Sequence, residues 1–527
     1  MKSTNTFSAV SVILHYVPEM ADQFARTLTS VFNQSCLPLE VLVLCQADQP
    51  VPEFDCCSLP LEIIREAGNL SRTLNRVMET AKGKYLLSID NSVAEVILKH
   101  SFLVVASLIA EKYPDLGMLY SDYDLVNNEV IQEIRLLKHH SGRLRDNQDY
   151  GKVFLFSKAV LEAVGGFDQS LKYNALYDIR LKLSEKYKLV HIANKIDGSL
   201  YRVVSGGIKH NVFDYLLVNK EAQLEAEVVL TNHLKRIGAY LAPDQDYCLR
   251  PDLNEKYDHL ASVIIPVYHR PEFIGTALNS VFSQSIKDLE IIVVVNGGPL
   301  DPTVTEVRRY MAGGDRYDAQ QPPVRLIVAD INNIGLSLNL GLKIARSRYY
   351  VQLDSDDRLK SDAIEKIVAV FNSDERIGMV IGSYEVWEKK PSGEFVRMEE
   401  IPIVKHEEWT DANGRNNLLR INGAGAPRAI PIKIIREMGY FGMNDEPFAC
   451  NYGEDYDLVL KISEQYRIGR VWQPIYEVVR HTGGTDHSID QNTIDRNDEA
   501  KDYMRLKAVH RRKKINEITN RNLGKSL

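Results

Sequence analysis

The most informative residues of this chain are four polar side chains, Asp354, Ser355, Asp356 and Asp357, which directly follow an apolar run. Three carboxylates on one short loop repel each other, and they are tolerated when solvent or a divalent cation neutralises them. The alternating pair Asp354 and Asp356 therefore predicts a site for Mn²⁺ or Mg²⁺, which would hold a diphosphate. The alternative is a solvated turn that caps a helix predicted from Ser361.

Two later segments carry further titratable groups. Glu454 and Asp455 lie at the start of an amphipathic helix predicted over 458–466, where acidic residues often act only as caps and dipole partners. The functional interpretation makes one of them a general base for a hydroxyl group. His481 is a candidate third metal ligand, because neutral imidazole suits Mn²⁺ and similar ions, and His487 is a weaker candidate.

The hydrophobic pattern of the second half predicts the elements that position these residues. Helices are predicted over 273–282 and 336–345, and strands over 262–267, 289–295, 325–328 and 349–353. Strands that alternate with helices predict an α/β fold with a mostly parallel, Rossmann-like sheet. Ligands of such sheets bind beyond the carboxyl ends of the strands, so the loops after Val267, Val295 and Leu353 should face one crevice.

Most of the chain repeats itself. Residues 11–14, 30–35, 39–43, 84–90 and 177–181 match residues 262–265, 280–285, 289–293, 348–354 and 456–460 in the same order. Ordered matches predict a duplication. We therefore expect two tandem α/β domains, over 1–210 and 257–497, with a helical linker over 211–256 and a basic C-terminal helix or tail over 498–527.

Composition and charge exclude several function classes. The chain has 527 residues, too many for one core, and a formal net charge of −7, which argues against nucleic-acid binding. Its six cysteines form no metal or disulfide pattern, and its apolar stretches are too short to span a bilayer. We expect a cytoplasmic protein. The basic segment 504–515 predicts a helix that packs on the second domain or contacts the inner face of a membrane. The sequence does not decide between a monomer and a homo-oligomer.

Taken together, the motifs of residues 257–488 resemble the family 2 glycosyltransferases, which have the GT-A fold. Segment 262–268 resembles that family's first strand and nucleotide loop, 333–341 its donor-side loop and helix, and 353–357 its DxD signature. The turn 422–425 resembles the acceptor-side turn, 453–458 the base motif, and His481 the late histidine. The resemblance implies inverting transfer of a sugar from a nucleotide-sugar donor, a UDP-sugar, to an acceptor hydroxyl.

The resemblance also implies roles for individual residues. Asp356 would bind the metal directly and His481 would complete its shell, while Asp354 would hold the ribose or a metal-bound water. Asp455 would be the general base, and Glu454 would orient it or contact the acceptor. The donor-binding set is Pro266, Val267, Tyr268, Asn296, Asn333, Asp354 and Ser355. One departure concerns nucleobase recognition, because the family has an acid after the second strand, where this chain has Val295 and Asn296.

The first half lacks the chemical groups of the second. Asp90 matches Asp354, but Ser92 stands at the position of Asp356. Ala175 and Leu176 stand at the positions of Glu454 and Asp455, and no histidine near 204–207 matches His481. We therefore predict a GT-A-like first domain without transferase activity, which serves stabilisation, acceptor binding or dimerisation.

The predicted function is sugar transfer in the synthesis of a cell-surface polysaccharide or glycoconjugate. The acceptor could be a carbohydrate, a lipid-linked sugar or a protein. One alternative is a nucleotidyltransferase, which would also use a parallel sheet and an acid pair, although residues 266–271 lack the expected Gly-rich phosphate loop. A second alternative is a non-catalytic carbohydrate- or partner-binding protein in which both copies are inert.

Overall fold

The computed structural model describes residues 8–50, 59–66, 68–127, 130–194, 198–204, 220–243, 247–407, 413–443, 452–481 and 491–523, with the backbone alone at 491 and 520–523. Contacts within the chain divide it into two compact units, Met1–Ile237 and Gly238–Leu527. The division falls inside the segment 211–256, for which the sequence predicts a linker.

The first unit contains two sheets with helices packed on them. Its strands are β1 (Val10–His15), β2 (Glu40–Cys45), β3 (Leu61–Arg65), β4 (Tyr85–Ile89), β5 (Glu95–Leu98), β6 (Leu116–Ser121), β7 (Tyr123–Asn127), β8 (Val130–Ile134), β9 (Val153–Ser157), β10 (Lys188–Ile192) and β11 (Tyr201–Val204). Its helices are α1 (Ala21–Phe32), α2 (Leu70–Thr80), α3 (Phe102–Lys112), α4 (Lys158–Ala163), α5 (Ala175–Ser184) and α6 (Lys220–Arg236). The sheet orders are β10-β6-β9-β4-β1-β2-β3 and β5-β11-β7-β8.

The second unit is built on one large sheet. Its strands are β12 (His259–Val267), β13 (Leu289–Val295), β14 (Val324–Val328), β15 (Ser347–Gln352), β16 (Arg358–Leu359), β17 (Ile377–Lys389), β18 (Phe395–Arg397), β19 (Arg428–Pro431) and β20 (Arg467–Arg480). Its helices are α7 (Pro271–Phe282), α8 (Pro302–Arg308), α9 (Ile334–Ile344), α10 (Ala363–Ser373), α11 (Gly414–Asn417), α12 (Ile432–Glu437), α13 (Tyr456–Gln465) and α14 (Gln491–Leu523). The sheet order is β14-β13-β12-β15-β19-β17-β20-β16, and β18 pairs with β17.

The two large sheets share one topology. In each, four parallel strands come first, as β3-β2-β1-β4 and β14-β13-β12-β15. The next strand, β9 or β19, is antiparallel to both of its neighbours. The pair that follows, β6-β10 or β17-β20, is parallel again, and the second sheet adds the short antiparallel strand β16 beside β20. The predicted α/β fold with mostly parallel sheets is confirmed, and the common strand order agrees with the repeat in the sequence.

The central strands form because their sequences are apolar and β-branched on both faces. All seven residues of β13 are buried, and alternate residues of β12 and β13, from Val263 to Val295, belong to one hydrophobic cluster with helices α7 and α10. Continuous apolar runs are typical of parallel strands that are covered on both faces. This packing makes the carboxyl edge of the sheet a rigid platform for the loops that follow.

The C-terminal helix α14 packs on the second unit through basic side chains. Arg505 and Arg512 are fully buried, and Ala508 and Val509 lie on the same face between them. Arg505 donates to the carbonyl oxygen of Ile421 at 2.7 Å. The predicted packing on the second domain is therefore observed, whereas contact with a membrane stays a prediction in which neither buried arginine can take part. Among the described residues, no helix combines the length and apolar character needed to cross a bilayer.

Candidate active site at the carboxyl edge of the second sheet

Three neighbouring parallel strands end at one edge of the second sheet. β12 lies between β13 and β15 and runs parallel to both. It ends at Pro266 and Val267 and continues into Tyr268, which is 46% exposed. β13 continues into the buried Asn296, and β15 leads to Asp354. Because ligands of open parallel sheets bind beyond this edge, the donor-side residues lie where the sequence predicts a crevice.

The acid loop, residues 354–357, is held by strand β20. The amide of Asp354 donates a hydrogen bond to the hydroxyl oxygen of Tyr476 at 3.0 Å. The carboxylate of Asp357 accepts one from the amide of Val479 at 2.8 Å. Burial, together with repulsion from the neighbouring carboxylates, raises the pKa of both Asp354 and Asp357. The loop thus carries negative charge that its surroundings do not fully compensate.

His481 meets the acid loop although 125 positions separate it from Asp356. Its Nε2 atom lies 3.0 Å from Oδ2 of Asp356. The imidazole is only 8% exposed, whereas the Asp356 side chain keeps 26% exposure. The ring of Phe273, at the start of α7, packs on the imidazole with 4.3 Å between ring centroids. The histidine is therefore fixed against a partly exposed carboxylate of the loop.

A divalent cation fits this pair in charge and in donor type. A carboxylate and an imidazole are both ligands that Mn²⁺ accepts, and the acid loop has negative charge to neutralise. Among the described residues, no three His, Cys, Asp or Glu side chains converge to hold a metal. The protein would therefore supply part of the coordination shell, and diphosphate oxygens, which suit hard cations, would supply the rest.

The base motif is connected to the acid loop by a chain of side-chain contacts. Nη1 of Arg428 lies 2.5 Å from Oδ2 of Asp455. Nε of the same arginine donates to Oε1 of Gln352 at 3.0 Å, and Nε2 of Gln352 donates to Oδ1 of Asp354 at 3.2 Å. These contacts orient the Asp455 carboxylate and place it on the same side of the sheet as the acid loop.

Glu454 lies beside this ion pair in a different environment. Burial, reinforced by the charge of Asp455, raises the pKa of Glu454 to about 7. Its backbone is fixed by a hydrogen bond from the amide of Gly442 to the Glu454 carbonyl oxygen at 3.0 Å. A carboxyl group with a pKa near neutrality can exchange a proton with a ligand at physiological pH.

Helix α9 positions both the donor side and the base motif. Asn333 caps its N-terminus by accepting a hydrogen bond from the amide of Leu336 at 2.7 Å. Asn339, further along the helix, exchanges two hydrogen bonds with the backbone of Phe441. Gly335 lies so close to Gly442 that a Cβ atom there would meet the Gly442 carbonyl oxygen at 1.7 Å. The absence of a side chain at Gly335 thus lets the segment beside Glu454 dock on the helix.

Comparison with known proteins finds a family match within the second unit. Residues 262–423 match the family model for glycosyl transferase family 2. The chain carries a family 2 glycosyltransferase domain. An uncharacterised glycosyltransferase of Rickettsia conorii is 31% identical over 211 residues, 39% of this chain and 32% of that protein. The chondroitin synthase of Pasteurella multocida is 27% identical over 230 residues, 43% of this chain and 21% of that protein. The match thus spans about a third or less of the length of these two relatives.

Solved structures show a distant likeness. The Staphylococcus aureus TarS fragment in complex with UDP-GlcNAc matches 45% of this chain and 64% of its own, with 17% identity and a TM-score of 0.35. A mannosyltransferase of Pyrobaculum calidifontis in complex with GDP-Man and Mn²⁺ matches 55% of this chain and 82% of its own, with 17% identity and a TM-score of 0.33.

The predicted site residues fall into three groups in and around the family 2 domain. Asp356 contacts His481 directly, and Asp354 is linked to Asp455 through Gln352 and Arg428. Asn296 donates to the Ser337 hydroxyl at 3.0 Å, and that hydroxyl donates to the carbonyl oxygen of Asn333 at 2.8 Å. Ser355 is buried in the acid loop. His487 lies outside the described residues, and all of the ligand-binding roles stay predictions.

Sequence reasoning missed three side chains that hold the site together, namely Arg428, Gln352 and Tyr476. Each acts on a group far away in the chain, and Tyr476 reaches Asp354 across 122 positions. Their residue types alone give no catalytic signal. A partial signal was available for Arg428, because an arginine in the short strand β19 next to apolar residues needs a buried partner.

Proposed function

We propose that the second unit transfers a sugar from a UDP-sugar to a hydroxyl group of an acceptor, with inversion at the anomeric carbon. The observation that carries the proposal is the convergence of three motifs: Asp356 contacts His481, and Arg428 and Gln352 connect the acid loop to Asp455. The family 2 match over residues 262–423 supports it.

Asp356 and His481 would hold Mn²⁺ or Mg²⁺. When bound, such an ion stabilises the negative charge on a leaving nucleoside diphosphate. Asp354 contributes a carboxylate to the same loop for the ribose or a metal-bound water. The space for the nucleotide would be lined by the donor-side residues, namely Pro266, Val267, Tyr268, Asn296, Asn333 and Ser355.

The chain's own groups carry out the proton transfer. Asp455 accepts the proton of the acceptor hydroxyl as that oxygen attacks the anomeric carbon, and Arg428 holds the carboxylate in position. The new carbon–oxygen bond forms while the bond to the diphosphate oxygen breaks on the opposite side, so a single displacement inverts the configuration. Glu454, with its pKa near 7, contacts the acceptor.

The acceptor is a saccharide of a growing polysaccharide or glycoconjugate. Support comes from the relative that is a chondroitin synthase, matched over 43% of this chain. A lipid-linked or protein acceptor would use the same hydroxyl chemistry. A lipid-linked one would bring α14 to an anionic surface, where the exposed Lys514 and the neighbouring Lys513 are available while Arg505 and Arg512 are buried.

The experiment incubates the full chain with a panel of UDP- and GDP-sugars, Mn²⁺ or Mg²⁺, and saccharide acceptors. We expect UDP release together with a glycoside whose anomeric configuration, read by NMR, is opposite to that of the donor. Pyrophosphate release would instead indicate a nucleotidyltransferase, and no release from any donor would indicate a binding protein.

A matched pair of variants tests the base. Asp455→Asn should lower turnover by about 10²–10⁴, the usual contribution of general-base catalysis. Asp457→Asn is the control, because Asp457 lies two residues later and pairs with Lys461 at 2.8 Å and with Arg511 of α14 at 3.4 Å. Equal loss in both variants, or greater loss in Glu454→Gln, would contradict the assignment of Asp455.

A further inference from the structure

The first unit has a cleft at the place that corresponds to the proposed active site. Its volume is about 500 Å³, within the range of about 300–1,000 Å³ that is usual for small-molecule sites. The lining includes Asp90, just after β4, and Leu176, at the start of α5. These two residues stand where the second unit has Asp354 and Asp455. The cleft therefore occupies the equivalent edge of the first sheet.

The ion pair of the second unit is replaced in this cleft by two apolar side chains. In the first unit Leu87 pairs with Leu155, as Val351 pairs with Ala429 in the second. One position earlier in β9 and β19, Phe154 therefore corresponds to Arg428. Phe154 and Leu176 both line the cleft. Both charges of the ion pair have been exchanged for apolar groups while the space above them stays open.

The charge at the metal position is neutralised by a lysine. Nζ of Lys152 lies 2.8 Å from Oδ2 of Asp90, and the Ser92 hydroxyl donates to the other carboxylate oxygen at 2.7 Å. Both oxygens of Asp90 thus have partners from the chain itself. The cleft does not need a cation to balance Asp90, and it lacks the second carboxylate that Asp356 supplies in the other unit.

The remaining charges of the lining disfavour an anionic ligand. Asp146 and Asp149 lie on the rim. The guanidinium of Arg180 is buried and donates to the carbonyl oxygens of Arg143 and Arg145. The lining thus carries three carboxylates, of Asp90, Asp146 and Asp149, against the two cations of Lys152 and Arg180, so its formal net charge is −1. A nucleoside diphosphate or an acidic sugar would be repelled.

The surfaces that remain suit the two sides of a sugar ring. Met118, Phe154 and Phe156 form an apolar floor, and the tyrosine rings of Tyr123, Tyr150 and Tyr177 stand beside it. Oε1 of Gln148 is buried and has no hydrogen-bond partner among the described residues. A buried amide oxygen without a partner is costly, so the Gln148 side chain gains a hydrogen bond when it turns this oxygen toward a ligand hydroxyl in the cleft.

We propose that this cleft binds a neutral saccharide without transferring it. Apolar faces of the sugar rings would lie on the apolar floor, and hydroxyl groups would bond to Gln148 and to the rim carboxylates of Asp146 and Asp149. The turn that carries Gln148, residues 147–151, precedes β9 as the turn 422–425 precedes β19, but Asp149 and Tyr150 stand at the positions of Gly423 and Ala424. This site goes beyond the proposed function, because it requires no chemistry in the second unit.

The test is binding of lactose, cellobiose, maltose and diacetylchitobiose to the full chain, followed by saturation-transfer NMR and titration. We expect at least one of these disaccharides to bind, and glucuronic acid not to bind. Leu176→Trp, which fills the cleft, and Gln148→Ala, which removes the buried amide, should each weaken binding at least tenfold. Both variants should stay folded, because Leu176 is only half-buried and Gln148→Ala is a small change. The two variants therefore report on the site independently.

Gln321→Ala is the matched control. Gln321 lines a cleft of about 470 Å³ in the second unit, and its Oε1 is likewise buried with no partner among the described residues. Binding should be unchanged in this variant. The proposal is overturned if none of the four disaccharides binds, or if the Leu176 and Gln148 variants bind as well as the wild type. Because the readout is binding, either result is independent of whether the second unit turns over a donor.

Discussion

Exchanging the ion pair of Arg428 and Asp455 for the apolar pair of the first unit should separate stability from activity. The two side chains are only 14% and 17% exposed, and 2.5 Å separates their charged atoms. Removing one partner of a buried pair typically costs about 3–5 kcal/mol, whereas replacing both by apolar groups is often neutral. Arg428→Phe or Asp455→Leu alone should therefore destabilise the second unit by about 3 kcal/mol or more. The double variant reproduces Phe154 and Leu176.

The double variant should recover most of that loss. A residual cost of about 1 kcal/mol is expected, because Gln352 loses the hydrogen bond from Arg428. The assay is calorimetric unfolding of the full chain, in which the transition of the first unit serves as an internal control. Transfer should be lost in the double variant although its fold is restored. If the double variant loses as much free energy of unfolding as the two single variants together, the correspondence between the two units and the coupling of this pair are refuted.

Two further variants test the charges around the site. The pKa of Glu454 is raised from 4.5 to about 7, so its contribution to stability is present below about pH 4.5 and is lost as pH rises through 7. Glu454→Gln should thus be more stable than the wild type by up to about 3 kcal/mol near pH 8 and equally stable near pH 4. The stability difference between the exposed Glu437→Gln and the wild type should be the same at both pH values, and the same behaviour in Glu454→Gln would contradict the shift. Arg505→Met should destabilise the second unit by about 3 kcal/mol, because it breaks the pair with the buried Asp502. Lys514→Met is the control, since Lys514 is exposed on the same helix, and it should not lower the stability. Equal melting temperatures of the two variants would contradict this role of α14.

The parts of the fold that were predictable are those with a strong local pattern. The predicted strand over 289–295 has the observed bounds of β13, and the predicted strand over 262–267 lies inside β12. Both are apolar runs rich in β-branched residues, and the polar Asp288 and Asn296 bound the run of β13. The small sheet of the first unit and the long strands β17 and β20 were not predicted. Their half-polar sequences depend on distant partners, and local patterns do not report these.

The basic tail shows how a charge pattern misleads. The sequence indicates a helix whose thin apolar stripe, Leu506 and Val509, leaves the charges in solvent. In the structure the buried stripe is Arg505, Ala508, Val509 and Arg512. Arginines are rarely buried unless they are paired. Arg505 pairs with Asp502 on the same helix and with the carbonyl oxygen of Ile421, which belongs to a distant segment. Local sequence does not reveal those partners.

For the candidate site, residue types and order predicted more than geometry. The acid loop, the base motif and His481 follow from motifs. His481 contacts Asp356 in the structure, and the role of this pair as metal ligands stays a prediction. The chain of contacts from Asp455 through Arg428 to Asp354 could not be foreseen, since Arg428 enters from an antiparallel strand that pairs with β15 only after folding. The comparison of the two copies carried the most information, because it shows which groups the fold does not need.

The most direct test of the central claim is the rate of UDP release from a UDP-sugar in the presence of Mn²⁺ and an acceptor, measured for the wild type, Asp356→Ala and Asp362→Ala. Asp362 is the control, because it lies just beyond the acid loop, is 45% exposed and pairs only with Lys366 among the described residues. We predict that Asp356→Ala abolishes release while its melting temperature stays that of the wild type, and that Asp362→Ala keeps the wild-type rate. Near-normal release by Asp356→Ala would contradict the assignment of the active site to this loop.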